Sequence, residues 1–198
     1  MKFFDGEFLK NFKTVLIGSS LDKILLILSV PLIMRLYDPK DLAIFSLYTS
    51  LVSVFASIGC FKLENLIVIT KDDKKITEII FFCVLSAIIT SFIAYVILLS
   101  LEHYEINFIQ ELKDYLVIIV LSILFTCLYQ IYSHLFIRFS QFKKFNILKI
   151  SQTVSFLFAL TLLYLFKFNI NGIIISYFIG YIVCFIYGYN FYKIKFLR

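Results

Sequence analysis

The chain has 198 residues, 61% of them hydrophobic, and a mean hydropathy of +0.94, well beyond the roughly half-apolar make-up of a soluble globular domain. Only two Pro and six Gly occur, too few for a loop-rich fold. The net charge of +6 could suggest nucleic acid, but the basic residues flank apolar runs, so membrane topology and anionic headgroups account for them and no nucleic-acid partner is expected.

The apolar residues fall into runs of about 20, the length that crosses ~30 Å of hydrocarbon as a helix. Runs such as IIFFCVLSAII do not alternate, which argues against the strands of a β-barrel. The N-terminal MKFFDGEFLKNFK carries two acids and no small-residue cleavage site, so it does not read as a cleaved signal peptide. The expectation is an all-α membrane protein of six transmembrane helices, at residues 14–34, 42–61, 76–101, 115–137, 147–166 and 172–192, with residues 1–198 forming one transmembrane domain.

The first span holds Asp22 and Lys23 near its middle. A charge at that depth costs roughly 2.5–3.5 kcal/mol on insertion scales, so both must meet water or protein. Gly18, Asp22 and Ser29 share one helix face and Lys23 sits with Ser19 on the next. Two readings stand for Asp22: an ion- or proton-coupling site in a wet cavity, or a structural carboxylate that Lys23 neutralises or that pairs with another helix. Lys23 reads better as a cavity cation that attracts an anionic headgroup. Pro31 removes a backbone donor and is expected to kink this helix. Lys62 and Glu64 close the second span, where they are expected to snorkel to the interface or to guard a cytoplasmic entrance.

The fourth span carries Ser122, Thr126, Tyr129, Gln130 and Ser133 on one stripe, and the fifth begins with Asn146, Lys149, Gln152 and Thr153 on another. The two stripes either face each other across a lumen or serve interhelical hydrogen bonds, worth about 0.6 kcal/mol each. Arg138, Lys143 and Lys144 between these spans suit interface anchors or phosphate contacts at a cytoplasmic entrance. Cys60, Cys83, Cys127 and Cys184 lie in or beside apolar runs without a CxxC, so neither a disulfide nor a metal site is indicated. There is no P-loop, HExxH or GxSxG, and His103 and His134 are isolated. No catalytic residue and no cofactor are expected.

Basic residues sort by side. The N-terminal tail (Lys2, Lys10, Lys13), the second-to-third loop (Lys71, Lys74, Lys75), the fourth-to-fifth loop (Arg138, Lys143, Lys144, Lys149) and the C-terminal tail (Lys193, Lys195, Arg198) lie together. Only Arg35, Lys40, Lys113 and Lys167 oppose them. The positive-inside rule then puts both termini in the cytoplasm.

Four stretches resemble a known family. PLIMRLYDPKDLAIFSLYTSLVSVF presents Arg35, Leu36, Tyr37, Pro39, Asp41 and Phe45. CFKLENLIVITKDDKK presents Glu64 and Lys71–Asp73, with Lys62 where an Arg is usual. YQIYSHLFIRFSQFKKFNILKISQ presents Tyr129, Gln130, Arg138, Phe142, Lys149 and Gln152. NGIIISYFIGY opens the sixth span, with Ser176 in place of a Gly and Tyr181 in place of a Gln. In order and spacing these resemble the N-terminal half of the oligosaccharide (O-antigen, polysaccharide) flippases of the multidrug/oligosaccharidyl-lipid/polysaccharide exporter superfamily. The resemblance implies one lobe of a two-lobe, alternating-access transporter in the bacterial cytoplasmic membrane. Its cargo would be a polyprenyl-pyrophosphate-linked oligosaccharide for cell-surface polysaccharide or O-antigen synthesis. It also implies a cationic cavity in which Lys23, then Gln130, Lys149 and Gln152, meet the cargo. Drug or small-ion export within the same superfamily is a further reading.

Family members are about twice this length. The expectation is therefore a second six-helix lobe, from a separate chain or from self-association, beside the membrane lipids as partners. The alternative is a truncated, non-transporting membrane protein or a scaffold in a polysaccharide-assembly complex.

Overall fold

The computed structural model describes residues 6–70, 72–104 and 107–196. The described residues form eight α-helices and no strand: α1 (Gly6–Leu36), α2 (Pro39–Gly59), α3 (Glu64–Ile69), α4 (Asp73–His103), α5 (Asn107–Gln110), α6 (Leu116–Arg138), α7 (Phe142–Leu165) and α8 (Asn169–Phe196), with one 3-10 turn at Lys113–Tyr115. Six of them, α1, α2, α4, α6, α7 and α8, are long and apolar enough to cross a membrane. Helices are the form such segments take, because lipid offers no hydrogen-bond partner to an open backbone.

α6 is the centre of the bundle and packs on α2, α3, α4 and α8. Its Ile119, Ile123, Cys127, Ile131 and Leu135 recur every four residues and are fully buried. Facing them, α2 offers Tyr48, Val52 and Ala56, and α4 offers Cys83, Ala87, Ala94 and Leu98. Small side chains at these crossings let the backbones approach, which is how helices associate when lipid is as apolar as their own surfaces. Where Tyr48 comes between helices its hydroxyl meets Ser122 Oγ at 2.5 Å.

α1 and α7 run in parallel. The α1–α7 seam depends on Gly18, where an added Cβ would fall 1.9 Å from Asn146 Cγ. The Asn146 amide lies over this bare backbone and donates to the Thr14 carbonyl at 2.6 Å. Elsewhere α1 is largely uncovered. Leu16, Ile17, Leu21, Ile24, Ile27 and Leu28 are all exposed, the surface of a helix whose other neighbours are lipid or another protein.

The turns explain where the helices end. α6 stops at Arg138 with Ser140 in the left-handed region (φ 52°), and Gln141 N–H reaches back to the Phe136 carbonyl at 2.8 Å. α7 stops the same way, with Lys167 at φ 59° and Phe168 N–H on the Leu163 carbonyl. Both are Schellman-type caps built without glycine. α7 begins at Phe142, five residues before the apolar run, because Lys143 and Lys144 are good helix formers that reach outward. Lys144 Nζ lies 4.7 Å from the centre of the Phe191 ring. Pro31 stands within α1, which continues to Leu36.

The second span requires a correction. α2 ends at Gly59, and Phe61 (φ 48°) and Lys62 (φ 59°) turn the chain through left-handed backbone. Glu64 does not close α2. It opens the separate helix α3, which packs beneath α6 and α4. Lys62 is exposed, whereas Glu64 is only 4% exposed, so the Glu64 side chain is not reaching outward as a snorkelling residue would.

Gly18→Leu should force α1 off α7 and lower stability by about 1–3 kcal/mol. Thermal unfolding of the detergent-solubilised protein reads this, with Ser20→Leu on the exposed side of the same helix leaving the midpoint unchanged.

Candidate functional site

Lys23 lies ten residues into the span that starts at Lys13, about 15 Å along a helix axis and so near mid-bilayer. Asp22, beside it, is 9% exposed. Its Oδ1 accepts a hydrogen bond from Thr153 Oγ1 of α7 at 2.5 Å. One turn earlier on each helix, Lys149 Nζ donates to Ser19 Oγ at 3.4 Å and lies 4.5 Å from the centre of the Phe145 ring. The polar stripe of α7 is therefore matched, step for step, to the polar sector of α1.

This settles which stripes meet. The stripe on α7 meets α1 directly, and its Lys149 and Gln152 share a cavity with Tyr129 of the α6 stripe. Elsewhere on the α6 stripe Ser122 bonds with Tyr48 of α2, and Thr126 Oγ1 donates to the Ser122 carbonyl at 2.7 Å. The sequence periodicity placed both stripes but carried no information on which neighbour each helix would choose.

Beside the seam lies a cavity of about 620 Å³ between α1, α2, α6, α7 and α8, within the range of small-molecule sites. Asp22, Lys23, Lys149 and Gln152 line it together with Ser19 and Thr49. Lys149 feels both the Asp22 carboxylate and the Lys23 ammonium. Two lysines against one aspartate leave the wall net cationic. Lys23 is exposed, whereas Lys149 and Gln152 are half-buried, so Lys23 marks the open edge.

The other wall is aromatic: Phe45, Tyr129, Phe156, Tyr177 and Tyr181 line it. Phe45 and Phe156 stack with centres 6.1 Å apart, and Tyr177 meets Tyr181 edge-on at 5.1 Å. Of these, sequence reasoning placed only Tyr129 on a polar stripe. The four-residue spacing of Tyr177 and Tyr181 was the available signal, but it is equally the spacing of a core stripe.

The remaining candidates fall elsewhere. Gln130 is half-buried and does not line the cavity; its neighbour Tyr129 does, because adjacent residues point 100° apart. Arg138, half-buried in the last turn of α6, lies about two and a half turns beyond Tyr129. Lys62 lies in the α2–α3 turn and Glu64 opens α3, and Glu64 Oε2 has no hydrogen-bond partner among the described residues. The thiols are core groups. All four are buried, and the Cys127 thiol beside Cys60 pushes it up to about 12, so it stays protonated at neutral pH. Among the described residues no cluster of three His, Cys, Asp or Glu is arranged to hold a metal.

A family model described as polysaccharide biosynthesis protein matches residues 8–198. No curated protein and no solved structure matches the chain.

Thr153→Val should leave Asp22 buried without its donor and cost about 1–3 kcal/mol in thermal unfolding. Combining it with Asp22→Leu should recover most of that loss, because removing both partners leaves nothing unsatisfied. A double variant as unstable as the sum of the singles would show that the pair does not act as a unit.

Proposed function

The chain belongs to the polysaccharide biosynthesis protein family, and from that premise we propose that it is a lobe of a transporter for a lipid-linked oligosaccharide. In this reading a polyprenyl-pyrophosphate-linked glycan passes from the cytoplasmic to the outer leaflet of the bacterial cytoplasmic membrane, for cell-surface polysaccharide or O-antigen synthesis. The protein is a multi-pass membrane protein with both termini in the cytoplasm, and its cavity is completed by a second six-helix lobe. The observation that carries the proposal is the convergence of Lys23, Lys149 and Gln152 in one net-cationic cavity at bilayer depth, where unpaired charge is expensive unless it meets water or a counter-charged cargo.

The roles follow from the chemistry. Lys23 and Lys149 are point charges on flexible stems, suited to a pyrophosphate that must be gripped and then released. Gln152 and Ser19 add neutral hydrogen-bonding groups, and the aromatic wall offers ring faces to sugar C–H groups. Asp22 opposes the lysines. When it takes up a proton the cavity gains positive character and holds an anion more tightly; when it releases the proton the anion is loosened. Proton or cation exchange at this one carboxylate thus supplies a means of coupling. The chemistry proposed is translocation, with no bond made or broken.

Complementation of a flippase-deficient strain, with this lobe and a partner lobe co-expressed, tests the reading. Lys23→Ala with Lys149→Ala should lower surface polysaccharide at least about tenfold, as expected from losing two charge-assisted contacts of roughly 1.5–3 kcal/mol each. Lys23→Arg with Lys149→Arg should retain much of it. Stable insertion of the double-alanine variant with unchanged polysaccharide would reject the proposal. Separately, cysteines placed at positions 23, 149 and 152 should react with a membrane-impermeant maleimide. The four native thiols, all buried, should stay silent.

A further inference from the structure

α2 does not run to the end of the bundle. It stops at Gly59, where an added Cβ would fall 2.4 Å from Cys127 Sγ, and Cys127 stands midway along α6. On another side Thr90, near the middle of α4, donates to the Gly59 carbonyl at 3.2 Å. The break between α2 and α3 is therefore set within the depth that α4 and α6 span, with about 16 Å of α6 still to follow before Arg138. Glu64 opens α3 just after this break. We propose that Glu64 is a proton-binding site, loaded while α3 is seated on α4 and α6 and unloaded when α3 swings out on the turn at Phe61 and Lys62. The proposal goes beyond the transport reading and does not depend on it: neither Glu64 nor the thiols around it line the cavity.

The surroundings of Glu64 offer it no counter-charge. Its side chain is buried, and Oε2 has no hydrogen-bond partner among the described residues. The titratable groups it faces are thiols. Cys60 at the end of α2 and Cys83 of α4 both feel its charge, and Cys127 of α6 lies beside Cys60. No lysine, arginine or histidine figures among the charges acting on Cys60 or Cys83. Lys62, the nearest cation in sequence, is exposed. His134 of α6 is turned to its own helix, 2.8 Å from the Gln130 carbonyl, and Arg138 stands in the last turn of α6. A carboxylate taken out of water with neither a cation nor donors is costly, and such a group takes up a proton instead. The neutral acid needs no counter-charge, and its hydroxyl can donate to a neighbouring acceptor.

Unloading needs a route to water, and the turn supplies it. Phe61 at φ 48° and Lys62 at φ 59° are non-glycine residues in left-handed backbone, a conformation that persists only while its surroundings hold it. α3 is six residues long. Of these only Glu64 and Ile67 are buried, while Asn65, Leu66 and Ile69 are exposed. So short a helix has little apolar surface to anchor it, and the charge state of one residue weighs heavily on its seating. With the proton on, Glu64 stays beneath α4 and α6. With the proton off, the site no longer suits it, and α3 leaves with its carboxylate toward water. Proton release and the movement of α3 are then one equilibrium. Raising the pH favours the open form by up to about tenfold per pH unit, the slope for a single proton. Asp22 differs in kind, for Thr153 donates to it in the closed bundle.

Dicyclohexylcarbodiimide, an apolar reagent that adds to neutral carboxyls and not to carboxylates, tests this on the full chain in phosphatidylcholine nanodiscs. Peptide masses should place an adduct on Glu64, and its rate of formation should fall as the pH is raised from mildly acid to alkaline. Glu64→Gln should remove the adduct. Ile67→Cys, at a fully buried position of α3, then reports the movement. Its labelling by a membrane-impermeant maleimide should rise with pH more steeply, by up to about tenfold per unit, in the chain that keeps Glu64 than in the chain with Glu64→Gln, where the neutral amide leaves α3 seated at every pH. No adduct on Glu64, an adduct whose rate is independent of pH, or equal pH slopes in the two Ile67→Cys chains would overturn the proposal. Protection of Glu64 by sodium or potassium at constant pH would assign the site to a metal cation and would overturn it too.

Discussion

Asp22 stands near the middle of a mostly apolar helix, and the hydroxyl of Thr153 is what it meets there. An isolated carboxylate in hydrocarbon would cost several kcal/mol, so this contact limits how α1 can be placed. α1 touches little else: most of its surface is exposed, and its main neighbour is α7. Gly18 and Asn146 allow the close approach, Asp22 and Thr153 fix the register, and Ser19 and Lys149 continue the match one turn away. The cavity exists because α1 is held at one edge only, by a polar seam. Its far edge, where Lys23 lies, is left open.

The bundle therefore has two kinds of cohesion. Around α6 the contacts are apolar and closely fitted, with Ala, Cys and Gly at the crossings and a few short hydroxyl bonds such as Tyr48–Ser122. Such packing gives way only by opening voids, so it suits a rigid frame. Between α1 and α7 the contacts are polar and few. Polar seams can exchange partners with water or cargo at smaller cost, and this is where a moving part would be expected in a protein that alternates its access. The division of α6, α4 and α2 from α1 thus separates the closely packed frame from the polar edge.

Glu64 is a reminder that burial and interface position are distinct. A charged residue beside an apolar run ordinarily marks a helix end at the headgroups. Here the left-handed turn at Phe61 and Lys62 sends the two charges in opposite directions, Lys62 outward and Glu64 beneath α6 and α4. Neither propensity nor charge pattern contains that outcome, because two non-glycine residues with positive φ occur only where surrounding packing imposes them.

Segment lengths and hydropathy are local properties, and bilayer thickness is an external ruler. Six spanning helices were therefore legible in the residue string, as was the polar character of residues 22, 23, 149, 152 and 153. The same periodicity assigned Gln130 and Tyr129 to one stripe, yet only Tyr129 reaches the cavity. Which stripe meets which is a long-range choice: α7 turns Thr153 to Asp22 of α1, more than a hundred residues away in sequence, while its Lys149 and Gln152 share the cavity with Tyr129 of α6. That pairing depends on the helices on every side finding partners at once. It emerges only when the whole bundle is assembled, and it is what brings Asp22, Lys23, Lys149 and Gln152 to one place.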